Sequence, residues 1–261
     1  MTTPTPHEQS IANRAVLFLI ASLIAAASAN AGVIAWSAPQ SIVDDNDVST
    51  AGTLVVAHNL GSFGNSSATL NGVEFTPFAT SAPVNTQGAV TLSSSGVIYG
   101  DNFGFGEVLP PFTDLSPDYQ TLLQSGSFTF DFPPPNISLK LNGLTPGRTY
   151  QFQWWANQSN FFTYDPNSPA PPLLPTTTAT AGDSVTLERS GFFSGSTGQY
   201  AIGVFTADTT SQEIIFSGSF TQTVLNAFQL RELPSVPEPG SCLFGLALTG
   251  ALLRSRFRRQ A

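Results

Sequence analysis

From Val33 to Arg231 the chain never sustains the i, i+3, i+4 apolar spacing of a long helix. Short apolar or alternating runs follow one another instead, punctuated by Gly, Pro, Asn or Asp. Such runs stand at 33–36, 53–58, 68–75, 89–92, 97–99, 127–132, 137–141, 148–157, 184–188, 199–206, 212–217 and 224–231. In Thr69-Leu70-Asn71-Gly72-Val73-Glu74-Phe75 an Asn-Gly pair separates two of them, the pattern of a tight β-hairpin. One helix is predicted near Ser116–Gln124: Ser116 can cap it, Pro117 suits its first turn, Asp118 favours the positive end of its dipole and Gly126 closes it. With 41% hydrophobic and 10% charged residues, the composition excludes a disordered chain and a charged helical one. These features predict an all-β fold, an antiparallel β-sandwich with one short helix.

About two hundred residues without a charged linker suit one domain, residues 32–233, with a single sizeable core. Within it Lys140, Arg148, Arg189 and Arg231 face fifteen carboxylates, a net charge near −11, against −8 for the whole chain. Such a surface has no field to hold a phosphate backbone, so nucleic acid is excluded as a partner.

The two ends read as sorting segments rather than as fold. Residues 15–27 are apolar and too short to span a bilayer, and small residues follow in the A-x-A pattern. Residues 1–31 are therefore predicted to be a signal peptide cut by signal peptidase after Ala31, or after Ala29. Residues 234–261 carry Val236-Pro237-Glu238-Pro239, a short apolar stretch, and Arg254, Arg256, Arg258 and Arg259. The cationic cluster stays cytoplasmic and the body lies outside. The apolar stretch reaches only about 17 Å of a roughly 30 Å hydrocarbon layer, so membrane association is transient. This order of elements resembles the PEP-CTERM sorting signal of Gram-negative bacteria. The resemblance implies processing by exosortase near Pro237-Glu238-Pro239 and delivery to the cell surface or extracellular matrix, often alongside exopolysaccharide production. The single cysteine, Cys242, lies in this tail, so one mature chain can form no disulfide.

The segment Leu139-x-Leu141-x-x-Leu144-x-Pro146-Gly147-x-x-Tyr150-x-Phe152-x-Trp154 resembles a strand-turn-strand of fibronectin type III and galactose-binding jelly-roll modules. Residues 199–208 and 225–231 resemble the closing strands of exported jelly-roll domains. Length favours the jelly roll.

No catalytic residue is assigned. His7 leaves with the signal peptide and His58 is then alone, which excludes a zinc site or a Cys–His pair. Glu74, Glu107, Glu188 and Glu213 could in principle supply paired carboxylates, which keeps a jelly-roll glycan hydrolase or lyase as the alternative. Asp44, Asp45 and Asp47, with Asn46 between them, offer oxygen ligands for a structural Ca²⁺, or else form a polar turn with side-chain caps; no other cofactor is expected. On the strand after Gly147, alternation places Trp155 on one face with Gln151, Gln153 and Asn157. A flat ring among amides suits a sugar, the ring for its C–H face and the amides for its hydroxyls. Tyr164, in the Pro-rich segment that follows, joins this candidate site. The competing expectation is that residues 158–183 fold back and bury Trp155. The function expected is that of an exported, non-enzymatic structural or adhesive protein, either a module that binds extracellular polysaccharide or a matrix protein without a small-molecule site.

Overall fold

The structure, a computed structural model, describes residues 32–160, 174–190 and 196–234. Ala29, Ala31, Tyr164, Pro237, Glu238, Pro239, Cys242, Arg254, Arg256, Arg258 and Arg259 lie outside the described residues. Among those described, no helix is long and apolar enough to cross a membrane.

In chain order the strands are β1 (Ala35–Trp36), β2 (Gln40–Ser41), β3 (Thr53–Gly61), β4 (Ala68–Leu70), β5 (Val73–Ala79), β6 (Val84–Gln87), β7 (Val90–Ser93) and β8 (Tyr99–Asp101). After the helix α1 (Pro117–Gln124) come β9 (Gly126–Phe130), β10 (Ile137–Asn142), β11 (Thr149–Ala156), β12 (Thr176–Ala181), β13 (Asp183–Glu188), β14 (Gln199–Thr206), β15 (Ser211–Gly218), β16 (Gln222–Leu225) and β17 (Ala227–Glu232). The first sheet runs β1-β14-β11-β17-β3-β5-β4, with β2 also on β14; the second runs β13-β12-β15-β10-β7-β6; the third is β16-β9-β8. Within the first two sheets, β3-β17-β11-β14 faces β10-β15-β12-β13. The chain visits these eight strands in the alternating order of a jelly roll. The fold is an all-β sandwich, as the sequence predicts.

Alternation along β11 sets the core. Tyr150, Phe152, Trp154 and Ala156 point between the two large sheets and meet Leu139, Leu141, Ala179, Val185, Leu187, Ile214 and Phe216 from the other side. The Trp154 indole stands edge-on to Phe216 at 5.0 Å, joining the layers. The Pro146-Gly147 turn that launches β11 is held by its own strand, since the Thr145 N–H donates to the Tyr150 hydroxyl at 2.9 Å.

Local signals account for the punctuation. Asn71 and Gly72, at φ 47° and 75°, form the left-handed pair that a tight hairpin between β4 and β5 requires. The Ser116 hydroxyl accepts the Tyr119 N–H at 3.2 Å, with Pro117 in the first turn of α1. The helix end differs from expectation. Ser125 is already extended and Gly126 is the first residue of β9, so no left-handed glycine closes α1. Side-chain amides close it instead: Leu123 O accepts from Asn157 Nδ2 and Asn226 Nδ2, both at 3.0 Å, and Ser125 O accepts from Asn226 Nδ2 at 2.7 Å.

His58 belongs to this core. It lies on the inner side of β3, edge-on to Phe78 (5.2 Å) and Phe228 (5.6 Å), with Nδ1 3.0 Å from Thr76 Oγ1. Burial lowers its pKa below the ordinary 6.5, against a smaller opposing pull from the Thr76 backbone. The folded chain therefore binds this proton less readily than the unfolded chain, and stability is lost as pH falls from the ordinary histidine pKa toward the folded one. Thermal midpoints measured between about pH 7 and pH 5 are expected to fall more steeply for the wild type than for His58→Gln. Identical slopes would contradict a neutral, packed imidazole.

Candidate functional site

The amide-rich face of β11 is not a ligand platform. A third layer covers it: α1, the β4–β5 hairpin and residues 42–48 pack Ile42, Val48, Leu70, Phe75, Tyr119 and Leu122 over Trp155, Ala57 and Ala227. The Trp155 ring is fully buried, edge-on to Phe75 at 5.4 Å, and its Nε1–H donates to the Tyr119 hydroxyl at 2.9 Å. That hydroxyl titrates well above the usual tyrosine range, chiefly through burial. The expectation of an exposed indole is corrected and the competing expectation of a buried one is met; the described cover is α1 and Phe75, and residues 161–173 of the segment expected to cover it lie outside the described residues.

The amides on the same face are bonded to the protein itself. Gln153 and Gln229 are direct cross-strand partners, as are Gln151 and Arg231. Gln153 Oε1 accepts from Ser49 N–H at 2.9 Å and from Gln229 Nε2 at 2.7 Å, while Gln153 Nε2 donates to Asp47 O at 2.6 Å. Gln229 Nε2 also donates to Ser49 O, Ser49 Oγ donates to Gln151 Oε1, and the Arg231 guanidinium reaches the carbonyls of Thr50, Ala51 and Gly52. Residues 47–52 are thus strapped across the sheet by a ladder of amides ending in a guanidinium. Asn157, also fully buried, closes α1 and donates to Phe105 O at 2.7 Å. Gln151, Gln153, Trp155 and Asn157 are brought together, but Gln153, Trp155 and Asn157 are interior and Gln151 is half-buried beside Ser49.

The acidic run anchors the strap. Asp44 accepts the Asn46 N–H at 2.8 Å and Asp47 accepts the N–H groups of Val43 (2.6 Å) and Asp44 (3.1 Å), a reciprocal cap around a short 3₁₀ turn. Asp45 Oδ1 accepts from Ser116 Oγ at 2.7 Å, tying the turn to the start of α1. Burial raises the Asp47 pKa, outweighing the two N–H bonds that lower it. The three side chains form the capped turn that is the alternative reading of this run, and among the described residues no group of three or more His, Cys, Asp or Glu is placed to hold a metal ion. The candidate acids stand on separate elements: Glu74 on β5, Glu107 in the loop before α1, Glu188 on the edge strand β13, and Glu213 on β15, where it accepts from Ser138 Oγ.

The surface that stands out is one the sequence reading missed. Every strongly exposed aromatic ring among the described residues, Phe63, Tyr99, Phe103, Phe130 and Phe132, belongs to the third sheet, its continuations, or the turn joined to it. Their exposures run from 47% for Tyr99 to 94% for Phe63. On β9 the polar residues face inward: Ser127 Oγ bonds Thr80 Oγ1 at 2.8 Å and Thr129 Oγ1 donates to Pro135 O. The phenylalanines consequently face outward. Phe128 lies 5.6 Å from its cross-strand partner Tyr99 and 5.7 Å from the buried Phe105. The turn of Phe63 is joined to β8 by Ser62 N–H donating to Asn102 Oδ1 at 2.8 Å, and Gly100 lies so close to the Gly61 carbonyl that a Cβ there would come within 2.1 Å of its oxygen. Asp101, Asn102 and Asp131 stand among the rings. The pattern Ser-Phe-Thr-Phe-Asp-Phe holds the signal, although alternation alone assigns its phenylalanines to the core.

The fold and this surface together define an acidic, helix-capped β-sandwich with one aromatic end. No family model and no curated protein matches the chain. Among solved structures, the enzymatically active domain of tailspike protein 4 from bacteriophage CBA120 shows 14% identity and a TM-score of 0.32, over 56% of this chain and 19% of that one. The chain thus spans about a fifth of the tailspike domain. A structure described as carbohydrate-binding modules from the β-sandwich superfamily shows 12% identity and a TM-score of 0.14, over 62% of this chain and 71% of that one. At these scores neither likeness bears on what the protein binds.

Trp155→Ala is expected to lower the unfolding free energy by about 3–5 kcal/mol, seen as a shift in the denaturant midpoint. An unchanged midpoint would show that the ring is not packed.

Proposed function

We propose that the protein is an exported, non-enzymatic β-sandwich that binds carbohydrate at its aromatic end, in a structural or adhesive role at the cell surface or in the extracellular matrix. The observation that carries the binding reading is that the strongly exposed rings among the described residues, Tyr99, Phe103, Phe130, Phe132 and Phe63, all lie along the third sheet, its continuations and the turn joined to it. Exposed rings cover the C–H faces of sugar rings, and the neighbouring Asp101, Asn102 and Asp131 offer partners for hydroxyls. Support for export comes from the sequence: the signal-peptide pattern of residues 1–31 and the resemblance of residues 236–259 to an exosortase signal. Signal peptidase and exosortase are the processing partners on this reading.

Replacing Tyr99, Phe103 and Phe130 together by Ser is expected to weaken retention on exopolysaccharide from the producing bacterium at least ten-fold while leaving the thermal midpoint nearly unchanged, since these rings are solvated. Undiminished retention by the triple variant, or no retention by the wild type, would overturn the binding reading. Intact-mass measurement of protein recovered from the cell surface is expected to show loss of residues 1–31 and of those beyond about 240. An uncut chain would overturn the sorting reading.

A further inference from the structure

The described residues hold four cations, and three are paired, solvated or fully hydrogen-bonded. Arg148 pairs with Glu232 at 3.6 Å, and Lys140 lies opposite Glu213 in the β10–β15 register. The buried Arg231 has all three guanidinium nitrogens bonded, to the carbonyls of Thr50, Ala51 and Gly52 and to Gln229 Oε1. Arg189 differs. It is 1% exposed and continues the inward alternation of Val185 and Leu187 at the end of β13. Its Nη2 donates to Ser219 O at 3.2 Å, but Nε and Nη1 have no hydrogen-bond partner and it forms no ion pair among the described residues. Burial lowers its pKa to about 9, so it stays charged at neutral pH.

The neighbouring groups are incomplete in the same way. Ser190 Oγ and Gln158 Oε1 are buried without partners. Gln158 N–H donates to the Arg189 carbonyl at 2.6 Å, and Gln158 Nε2 donates to Gln222 Oε1 at 2.7 Å. Gln222 is the cross-strand partner of Phe130, so this cluster adjoins the aromatic end. Guanidinium donors, a hydroxyl and an amide acceptor together complement a carboxylate flanked by hydroxyls. A buried cation left this far unsatisfied is unfavourable until further acceptors complete it, and an anion supplies both the acceptor oxygens and the countercharge.

We propose that Arg189, with Ser190 and Gln158, is an oxyanion site that receives the carboxylate of an acidic sugar residue in a glycan lying along the third sheet. This deepens the carbohydrate reading and rests on it for the source of the carboxylate. The chain's negative charge opposes acidic glycans at long range, so discrimination comes from this local, desolvated donor set.

The test titrates the full chain at fixed ionic strength with oligogalacturonate and with its uncharged methyl ester. Arg189→Gln is expected to lose at least ten-fold in affinity for the acid and to keep its affinity for the ester; Arg189→Lys, which retains the charge, is expected to fall between. The triple aromatic variant is expected to lose both ligands. Equal binding of the acid by wild type and Arg189→Gln would overturn the oxyanion site and leave the carbohydrate reading standing. If neither glycan binds the wild type, galacturonate is not its sugar, and free acetate and sulfate then decide the site. A rise in thermal midpoint with either anion relative to chloride, absent in Arg189→Gln, supports it, and no rise overturns it. The wild-type midpoint shift serves also where Arg189→Gln does not fold.

Discussion

The architecture depends on the bonding of Gln153 to Gln229 across β11 and β17, and of both to the backbone at Ser49. An amide pair on a sheet face would ordinarily meet water. Here each amide takes main-chain groups of residues 47–52, so a chain segment replaces solvent, and the face becomes an interior on which α1 and the β4–β5 hairpin can close. Trp155 follows from that closure, because its indole N–H needs a partner once water is gone and Tyr119 supplies one. The sandwich gains a third layer, and among the described residues the strongly exposed aromatic rings are left to the small β16-β9-β8 sheet and the segments that adjoin it.

The interior polar groups divide by how fully they are bonded. The strap, the closure of α1 by Asn157 and Asn226, and Arg231 form nearly complete networks, which favours rigidity. The acidic turn at 44–47 belongs to the same system, since its capped backbone fixes the carbonyl that Gln153 meets. Several of the incomplete groups gather at one end, around Arg189, Ser190 and Gln158. In a chain with so few cations, that grouping distinguishes the end of the sandwich next to the aromatic sheet.

Much of this was legible in the sequence. The alternation Tyr150-Phe152-Trp154, the Asn71-Gly72 turn and the Ser116-Pro117 start of α1 are local signals, and the structure follows them. Three strands escaped notice. β12, Thr176–Ala181, presents only Thr and Ala, so its inward Thr177, Ala179 and Ala181 carry no hydrophobic contrast, while β2 is two residues long and β6 is mostly polar and exposed. The fate of Trp155 was illegible for a different reason: the groups that bury it come from residues 42–48, 70–75 and 119–123, remote in sequence, and an amide face covered by backbone looks the same in one dimension as an amide face awaiting a ligand. On β9 the usual reading inverts, because the partners that let Ser127 and Thr129 turn inward, Thr80 and Pro135, lie outside the strand.

The claim on which all of this rests is that residues 47–52 are a permanent part of the interior. Native-state hydrogen exchange at the Ser49 amide, which donates to Gln153 Oε1, tests it most directly. Protection approaching that of the central β11 amides is expected. Exchange at Ser49 as fast as that of an exposed loop, with β11 still protected, would mean that the strap opens independently and that the amide face is available to solvent after all.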